Sequence, residues 1–243
     1  MNILKNMSAR GGSASGGKTL LFTLEYPPFK GGVANYYDNI VKHWPNQGEI
    51  SVLNNNDGKL INARLPFLKW LPSVFELRGA VKKEKINHIL VGHILPLGTV
   101  ALLNKKLSGI PYSLILHGMD LTLALKSGRK RWLAKKILKN ASNIICASSF
   151  TAGLAREVAG EKEAGRVEVV NPGVDNQLSI INYQLSIELK NKYNLSNKII
   201  LFSIGRLVKR KGFDKVIEAM PAILKEVPNL VYAIAGTGPD EEY

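Results

Sequence analysis

Short apolar runs alternate with segments of helical periodicity along most of the chain. The runs that predict strands cover residues 19–24, 50–53, 88–91, 112–116, 143–147 and 166–170. Apolar positions at helical spacing predict helices over 33–44, 97–107, 129–141 and 149–159, and a further helical stretch ends near 85. A second alternating run has a strand at 199–204, a helix at 213–227 and a strand at 230–235. This alternation predicts an α/β fold of parallel sheets with helices on both faces.

Changes in composition divide the chain further. Residues 1–17 are rich in glycine and serine and predict a flexible leader. The first alternating run predicts an N-terminal domain over 18–180. An asparagine-rich stretch predicts a linker over 181–197, with one helical piece near 187–193. The second run occupies 198–243, which is shorter than most independent domains. We therefore expect a C-terminal domain that is incomplete within these residues.

Basic residues far outnumber acidic ones. The chain has 33 Lys and Arg against 19 Asp and Glu, which gives a net charge of +14 and favours anionic partners. No apolar run approaches the length of a membrane span, and the N-terminus has no apolar core typical of a secretory signal. We therefore expect a cytoplasmic protein. The single cysteine, Cys146, lies in an apolar run and predicts a buried, unreactive thiol.

One glycine-rich segment matches a phosphate-binding motif in the wrong context. Residues 12–19 read Gly-Ser-Ala-Ser-Gly-Gly-Lys-Thr, which is the spacing of a P-loop. A P-loop needs a strand before it and a helix after it, so that backbone N–H groups converge on phosphates. Here the predicted strand follows the glycines, and we therefore do not interpret the segment as a P-loop.

Two loops follow predicted strands at the edge where open α/β sheets bind ligands. Gly31 and Gly32 precede the first helix, where glycines let the backbone approach a ligand and a helix N-terminus attracts an anion. A plain turn is the alternative interpretation. His117 follows the fourth strand together with Asp120, which predicts a hydrogen-bond donor and acceptor for a sugar. We interpret the remaining histidines as structural: His43, His88 and His93.

The segment that joins the strand at 199–204 to the next helix is basic. Arg206 leaves the strand end and Lys211 precedes the helix N-terminus, so both cations can face one anion above the sheet. A planar guanidinium and a compact ammonium together suit a diphosphate. A merely solvated basic loop is the alternative, and it fits Lys209 and Arg210 better.

Six segments, in this order, resemble the landmarks of family 4 glycosyltransferases. They read Tyr26-Pro-Pro-Phe-Lys-Gly-Gly, His117-Gly-Met-Asp, Cys146-Ala-Ser-Ser-Phe-Thr, Asn171-Pro-Gly-Val-Asp, Gly205-Arg-Leu-Val-Lys-Arg-Lys-Gly-Phe-Asp and Ala235-Gly-Thr-Gly-Pro-Asp. The resemblance implies a GT-B architecture, in which two Rossmann-like domains face a cleft. It implies hexosyl transfer from a nucleotide-diphosphate sugar with retention, without a metal or another cofactor. We expect a lipid-linked or saccharide acceptor in cell-envelope glycan or glycolipid synthesis.

The resemblance also implies roles for individual residues. His117 would contact the donor sugar as the catalytic residue, and Asp120 would belong to the acceptor-side loop. Asn171 and Asp175 are interpreted as loop structure. The donor-binding residues would be Gly31, Gly32, Arg206, Lys211, Gly236 and Gly238.

One family motif has no counterpart in these residues. The paired glutamates that engage the donor sugar and ribose would come after residue 243, and Glu241 and Glu242 follow the Gly-Thr-Gly-Pro turn too closely to replace them. We therefore expect the 243 residues alone to have little or no transferase activity.

The helix predicted at 129–141 is strongly basic. Residues 126–139 contain seven Lys and Arg and no acidic residue. An apolar stripe would face the core, whereas Trp132 falls among the cations of the other face. A tryptophan on a basic face suits an anionic membrane surface at the inner face of the plasma membrane; a solvated face onto which Trp132 folds is the alternative. The predicted membrane-facing residues are Arg129, Trp132, Lys135, Lys136 and Lys139.

Two other classes of protein compete with this interpretation. A basic nucleic-acid-binding α/β protein agrees with the charge, but the chain lacks interleaved aromatic residues on a strand platform and a recognition helix. A dinucleotide-dependent oxidoreductase agrees with the alternation, but neither glycine pair extends to G-x-G-x-x-G. We therefore expect a nucleotide-sugar donor and a glycan or lipid-linked acceptor as partners, and no nucleic acid.

Overall fold

The computed structural model describes residues 17–65, 68–173 and 183–242. The chain forms two compact units, 1–174 and 175–243, and each is described by itself. The described strands of the first unit are β1 (Lys18–Phe22), β2 (Ile50–Leu53), β3 (Ile86–Val91), β4 (Tyr112–Leu116), β5 (Ile144–Cys146) and β6 (Val167–Val169). Its described helices are α1 (Gly32–Lys42), α2 (Leu71–Glu84), α3 (Leu97–Ser108), α4 (Met119–Leu125), α5 (Gly128–Asn140) and α6 (Ser149–Ala159).

The strands of the first unit form one parallel sheet in the order β2-β1-β3-β4-β5-β6. The register pairs Phe22 with Leu53 on one side and with Val91 on the other. Because parallel strands all end at the same edge, the loops after β1, β3 and β4 emerge side by side. The α/β fold predicted from the alternating pattern is confirmed.

Apolar side chains alternate between the two faces of this sheet. On β1, Leu20 and Phe22 pack into one core cluster and Leu21 packs into the other. On β4, Leu116 faces the first cluster and Ile115 the second. Strands that bury both faces need helices on both sides, which explains why they are apolar at consecutive positions. The core includes Cys146, which is fully buried as expected, and burial raises the pKa of its thiol to about 12.

The second unit contains, in its described part, α7 (Tyr183–Lys192), β7 (Ile199–Ile204), α8 (Phe213–Glu226) and β8 (Leu230–Ala235). The strands β7 and β8 pair in parallel from Ile199 with Leu230 to Ile204 with Ala235. We expected helices on both faces of this sheet as well. However, Phe202 is 59% exposed and Ile204 is 76% exposed, because the described elements of this unit cover little of β7.

Most predicted elements lie within two residues of their observed bounds, and one helix was missed. The segment after His117 was predicted as a loop, but α4 begins at Met119 and places Asp120 in its first turn. The predicted limits of leader, linker and domains stay predictions, and Asp175 lies outside the described residues. Within the described ranges, no helix combines the length and apolar character needed to cross a membrane.

His88 on β3 is a partly buried histidine whose neutral form the fold favours. Its Nε2 lies 3.1 Å from Ser113 Oγ on β4, and its Nδ1 is buried without a partner among the described residues. Burial disfavours the imidazolium, which lowers the pKa of His88 from 6.5 to about 4. Below about pH 6.5 the imidazole of His88 binds a proton in the unfolded chain but stays neutral in the folded domain. The free energy of unfolding therefore falls as the pH decreases towards 4.

We expect the free energy of unfolding to fall by up to roughly 3 kcal/mol from His88 alone between pH 7 and pH 4, at 1.36 kcal/mol per pKa unit. Urea denaturation at a series of pH values measures this slope. The His88→Gln variant should flatten it, whereas His43→Gln, at an exposed position of the same unit, should keep it. A wild-type slope retained in His88→Gln would contradict the prediction.

Candidate functional site

Three neighbouring strands bring their following loops together at the carboxyl edge of the first sheet. Glu25 follows β1, His93 follows β3 and His117 follows β4. Hydrogen bonds continue past the strand ends, since Gly92 N donates to Phe22 O at 2.9 Å and Ala147 N donates to Leu116 O at 2.9 Å. This edge therefore collects ionisable side chains from loops that lie far apart in the sequence.

His117 is joined to helix α1 through a tyrosine. Its Nε2 lies 2.9 Å from the hydroxyl of Tyr37, and that hydroxyl also donates to the carbonyl of Gly92. Tyr37 is fully buried, and it packs edge-on against His117 with ring centroids 5.3 Å apart. A Cβ at residue 92 would lie 2.7 Å from this hydroxyl, so the position requires glycine. The hydroxyl of Tyr37 thus connects α1 both to the sheet edge at Gly92 and to His117.

Burial sets the protonation states of this group. It lowers the pKa of His117, an effect that the nearby Asp120 carboxylate partly opposes, so the imidazole is neutral near pH 7. Burial also raises the pKa of Tyr37 well above its usual value, and the neighbouring Asp120 adds to the rise. The hydroxyl of Tyr37 therefore keeps its proton at any physiological pH.

Glu25 and His93 form a second pair beside it. His93 Nε2 lies 3.9 Å from Glu25 Oε1, while His93 Nδ1 lies 3.5 Å from the backbone N–H of Leu24. The interaction with His93 lowers the pKa of Glu25 despite partial burial, so the carboxylate is ionised at neutral pH. A carboxylate at this edge can accept hydrogen bonds from hydroxyl groups, and it repels a phosphate placed directly against it.

Gly31 borders the same carboxylate, and Gly32 is the next residue along the chain. Gly31 is the N-cap of α1 in an extended conformation, and a Cβ on it would lie 3.7 Å from Glu25 Oε2. A Cβ on Gly32 would meet no atom within 4 Å. The fold therefore does not require glycine at residue 32. The space beside its Cα is open, so a ligand has room there.

Gly118 and Asp120 hold the turn that carries His117. Gly118 has φ +96°, a conformation that favours glycine, and a Cβ on it would lie 2.9 Å from Thr151 Oγ1. Asp120 Oδ1 accepts from the backbone N–H of His117 at 3.2 Å. Its other oxygen, Oδ2, is buried without a partner among the described residues. Asp120 therefore supports the His117 backbone and keeps one acceptor unused.

The second unit gathers its predicted site residues at the carboxyl end of β7. Arg206 follows β7, and the side chain of Lys211 bends back so that its Cε lies 3.9 Å from a Cβ built on Gly205. Gly212, with φ +69°, ends the short helical turn Lys209–Lys211 and caps α8. Arg206 and Lys211 are both exposed, and neither forms an ion pair within the described part of the chain. Both cations therefore belong to the segment that joins β7 to α8, and no carboxylate of the described residues neutralises them.

Gly236 and Gly238 bring the loop after β8 against this basic segment. Gly205 N donates to Ala235 O at 3.0 Å, and Leu207 N donates to Thr237 O at 3.0 Å. A Cβ on Gly236 would overlap the carbonyl of Gly205, and a Cβ on Gly238 would overlap that of Leu207. Close packing of the two loops therefore requires glycine at both positions, independently of any ligand.

The basic helix α5 has the two faces that the sequence predicts. Ala134, Ile137 and Leu138 are fully buried, whereas Trp132 is 59% exposed. Lys136 Nζ lies 3.8 Å above the Trp132 ring, a cation–π contact that orients the indole on the helix surface. An open groove of about 380 Å³ runs between α5 and α6, lined by Gly128, Arg131, Trp132, Lys135, Glu157 and Val158.

The sequence interpretation missed three residues of the first site. His93 was set aside as structural, and Glu25 and Tyr37 were not considered. A signal existed for His93 and Glu25, because both come within three residues of a strand's carboxyl end. Tyr37 lies inside a helix, and only the packing of α1 on the sheet reveals its contact with His117.

Two family descriptions match consecutive parts of the chain. Glycosyltransferase Family 4 matches residues 30–178, and Glycosyl transferases group 1 matches residues 186–243. The first match alone covers more than half of the chain. The chain belongs to glycosyltransferase family 4. The resemblance carried by the six segments is thereby confirmed.

Characterised and uncharacterised members of the family are similar over most of the chain. A GDP-mannose-dependent alpha-(1-6)-phosphatidylinositol monomannoside mannosyltransferase of Mycolicibacterium smegmatis is 23% identical and matches 90% of this chain and 61% of its own length. An uncharacterized glycosyltransferase of Methanocaldococcus jannaschii is 28% identical and matches 82% of this chain and 55% of its own length. The chain thus spans somewhat more than half the length of these family members.

Solved structures share the fold at low sequence identity. Anabaena HepE in complex with UDP-glucose has a TM-score of 0.67 and 17% identity over 90% of this chain and 60% of that one. The sucrose-phosphate synthase of Thermosynechococcus elongatus has a TM-score of 0.64 and 16% identity over 92% of this chain and 64% of that one. The predicted GT-B-like fold class is therefore confirmed.

We expect Gly236→Ala to destabilise the second unit by about 2 kcal/mol or more, because its methyl group would overlap backbone that cannot move aside as a side chain can. Amide hydrogen exchange in β7 and β8 measures the effect locally. Thr237→Ala, at the exposed position between the two glycines, is the matched control and should leave the exchange rates unchanged. Equal protection in both variants would show that the loop does not need this close approach.

Proposed function

We propose that the protein is a hexosyltransferase that moves a sugar from a nucleoside-diphosphate donor to a glycan or lipid-linked acceptor with retention of anomeric configuration. The observation that carries the proposal is that Arg206 and Lys211, in the segment between β7 and α8, are both exposed and have no ion-pair partner among the described residues. Two of the similar proteins support it, since one is a GDP-mannose-dependent mannosyltransferase and the other was solved in complex with UDP-glucose.

The cations act on the leaving group. When the bond between the anomeric carbon and the diphosphate oxygen breaks, its electron pair stays on the diphosphate. The oxygen of an acceptor hydroxyl forms the new bond to the anomeric carbon, and the proton of that hydroxyl passes to the departing diphosphate. At an effective dielectric constant near 20, each cation at about 4 Å contributes about 4 kcal/mol before desolvation costs. The guanidinium of Arg206 offers two parallel donors, and the N-terminus of α8 adds a positive dipole end. Gly236 and Gly238 border the nucleotide in this scheme.

The edge of the first sheet serves the sugar and the acceptor. His117 contacts the donor sugar. Gly32, where a Cβ would meet no atom within 4 Å, leaves room for the donor phosphate, and Gly31, beside the Glu25 carboxylate, leaves room for the acceptor. Asp120 lies on the acceptor side. The ionised carboxylate of Glu25 favours hydroxyl groups over phosphates at this place, which suits a polyol acceptor. We propose the domain of residues 18–180 as the acceptor side.

The basic face of α5 brings the enzyme to its acceptor. The face carries exposed cations without an acidic residue on the same helix, and Trp132 stands among them. Such a face binds anionic headgroups through its charges and places an indole at the interface. We propose peripheral binding of a cytoplasmic protein at the inner face of the plasma membrane. There a lipid-linked acceptor for cell-envelope glycan or glycolipid synthesis would lie within reach.

We expect Arg206→Gln and Lys211→Gln each to weaken the binding of UDP or GDP by at least about tenfold, because each removes one charge contact to the diphosphate. Isothermal titration calorimetry of the 243-residue chain measures the dissociation constants. Lys209→Gln and Arg210→Gln remove the same charge from the same loop and should change binding by less than about threefold. Equal losses in all four variants would indicate a nonspecific basic loop.

The triple variant Lys135→Glu, Lys136→Glu and Lys139→Glu should lose most sedimentation with vesicles that contain phosphatidylglycerol, by at least about tenfold in partition coefficient. Each cation near an anionic surface contributes about 1 kcal/mol, and each reversal adds repulsion. Vesicles of phosphatidylcholine alone should bind neither protein.

The matched control carries the same change in charge elsewhere on the first unit. Lys82→Glu, Lys83→Glu and Lys106→Glu replace exposed lysines of α2 and α3. We expect this variant to keep most of its vesicle binding. Equal losses in the two variants would assign the binding to net charge and contradict a role for α5.

A further inference from the structure

The hydroxyl of Tyr37 lies between two hydrogen-bond partners that differ in their capacity to donate. Gly92 contributes a backbone carbonyl, which can only accept a hydrogen bond. His117 contributes Nε2, which can donate or accept according to its tautomer, at 2.9 Å. The hydroxyl has a single proton, so it can donate to one of these partners only.

Counting protons fixes the tautomer of His117. Because the Gly92 carbonyl needs the proton of Tyr37, the lone pairs of the phenol oxygen remain for His117. His117 Nε2 must therefore carry a proton and donate it to Tyr37. In the neutral ring the other nitrogen, Nδ1, is then unprotonated. It has no hydrogen-bond partner among the described residues, and it is not one of their buried unpaired polar atoms, so it is accessible.

We propose that Tyr37 is a positioning residue that holds His117 in its Nε2-protonated neutral form, so that Nδ1 accepts a hydrogen bond from a hydroxyl group of the donor sugar. The inference rests on the proposed transferase function for the identity of the ligand. It specifies which ring atom meets the sugar and in which direction the hydrogen bond runs. The donor sugar then donates, and a sugar without a hydroxyl at this position loses the contact.

The surroundings of His117 fix the plane of its ring as well as its proton. The edge of Tyr36 packs against the ring with centroids 5.1 Å apart and an interplanar angle of 89°. Tyr37 packs against it at an interplanar angle of 73°. Asp120 Oδ1 holds the His117 backbone at 3.2 Å, which fixes the start of the side chain. An imidazole held in this way presents one nitrogen in one direction, which a sugar-binding residue requires.

The tautomer can be measured without turnover. Long-range ¹H–¹⁵N spectra of the ¹⁵N-labelled chain at pH 7.5 distinguish a protonated ring nitrogen from an unprotonated one, and substitution of each histidine in turn assigns the signals. We expect a protonated Nε2 and an unprotonated Nδ1 for His117. In Tyr37→Phe the ratio of the Nε2-protonated to the Nδ1-protonated tautomer should fall roughly three- to tenfold, because one neutral hydrogen bond is lost.

Tyr36→Phe is the matched control. It also removes a hydroxyl from a tyrosine that packs against His117, but that hydroxyl faces the Val170 carbonyl at 3.4 Å. The tautomer of His117 should stay as in the wild type. A proton on Nδ1 in the wild-type protein would overturn the proposal, whether or not the variants fold. An unchanged tautomer in folded Tyr37→Phe would overturn it as well.

A titration with UDP-glucose and with GDP-mannose separates this inference from the proposed function. We expect the Nδ1 signal of His117 to shift more than the Nε2 signal, and the shift to shrink severalfold in Tyr37→Phe. Binding that moves Nε2 alone would overturn the assignment of Nδ1. A chain that binds neither sugar nucleotide would overturn the transferase proposal and the sugar contact with it, whereas the tautomer measurements would still decide what Tyr37 does to His117.

Discussion

Parallel pairing of β1, β3 and β4 is the constraint on which the first site depends. The backbone bond from Gly92 N to Phe22 O extends the ladder one residue past the end of β3 and fixes where the loops after β1 and β3 leave the sheet. A slip of one residue would turn every side chain of a strand to the opposite face. Because both faces are buried under helices, such a slip would expose apolar residues, so the two core clusters lock the register.

Tyr37 connects the end of β3 to the side chain of His117. It reaches from α1 to the Gly92 carbonyl, 55 residues away in sequence, and to His117, 80 residues away. A buried hydroxyl must be hydrogen-bonded, and here both of its bonds go to the edge that carries the ionisable groups. The tyrosine therefore links the packing of α1 to the hydrogen bonding of the His117 ring.

In the second unit, glycine residues allow the close backbone contact that fixes the basic segment after β7. Arg206 and Lys211 lie in the segment after β7 without a carboxylate partner in the described residues. Close backbone contact between the loops after β7 and β8 holds the segment in place, and Gly236 and Gly238 permit that contact. A rigid backbone beneath two free charges is a physical arrangement suited to an anionic ligand that arrives from solution.

The sequence by itself determined the elements, the two parallel sheets and, in each unit, the strand ends that the candidate residues follow: Gly31 and His117 in the first unit, Arg206 and Lys211 in the second. These follow from periodicity and from turn residues, which act between near neighbours in the chain. Only the tertiary structure decided that α4 begins directly after His117, that Glu25 pairs with His93 and that Tyr37 bonds to His117. Such contacts depend on the register of strands and on the angle at which a helix packs. Long-range packing sets both, and no local pattern records them.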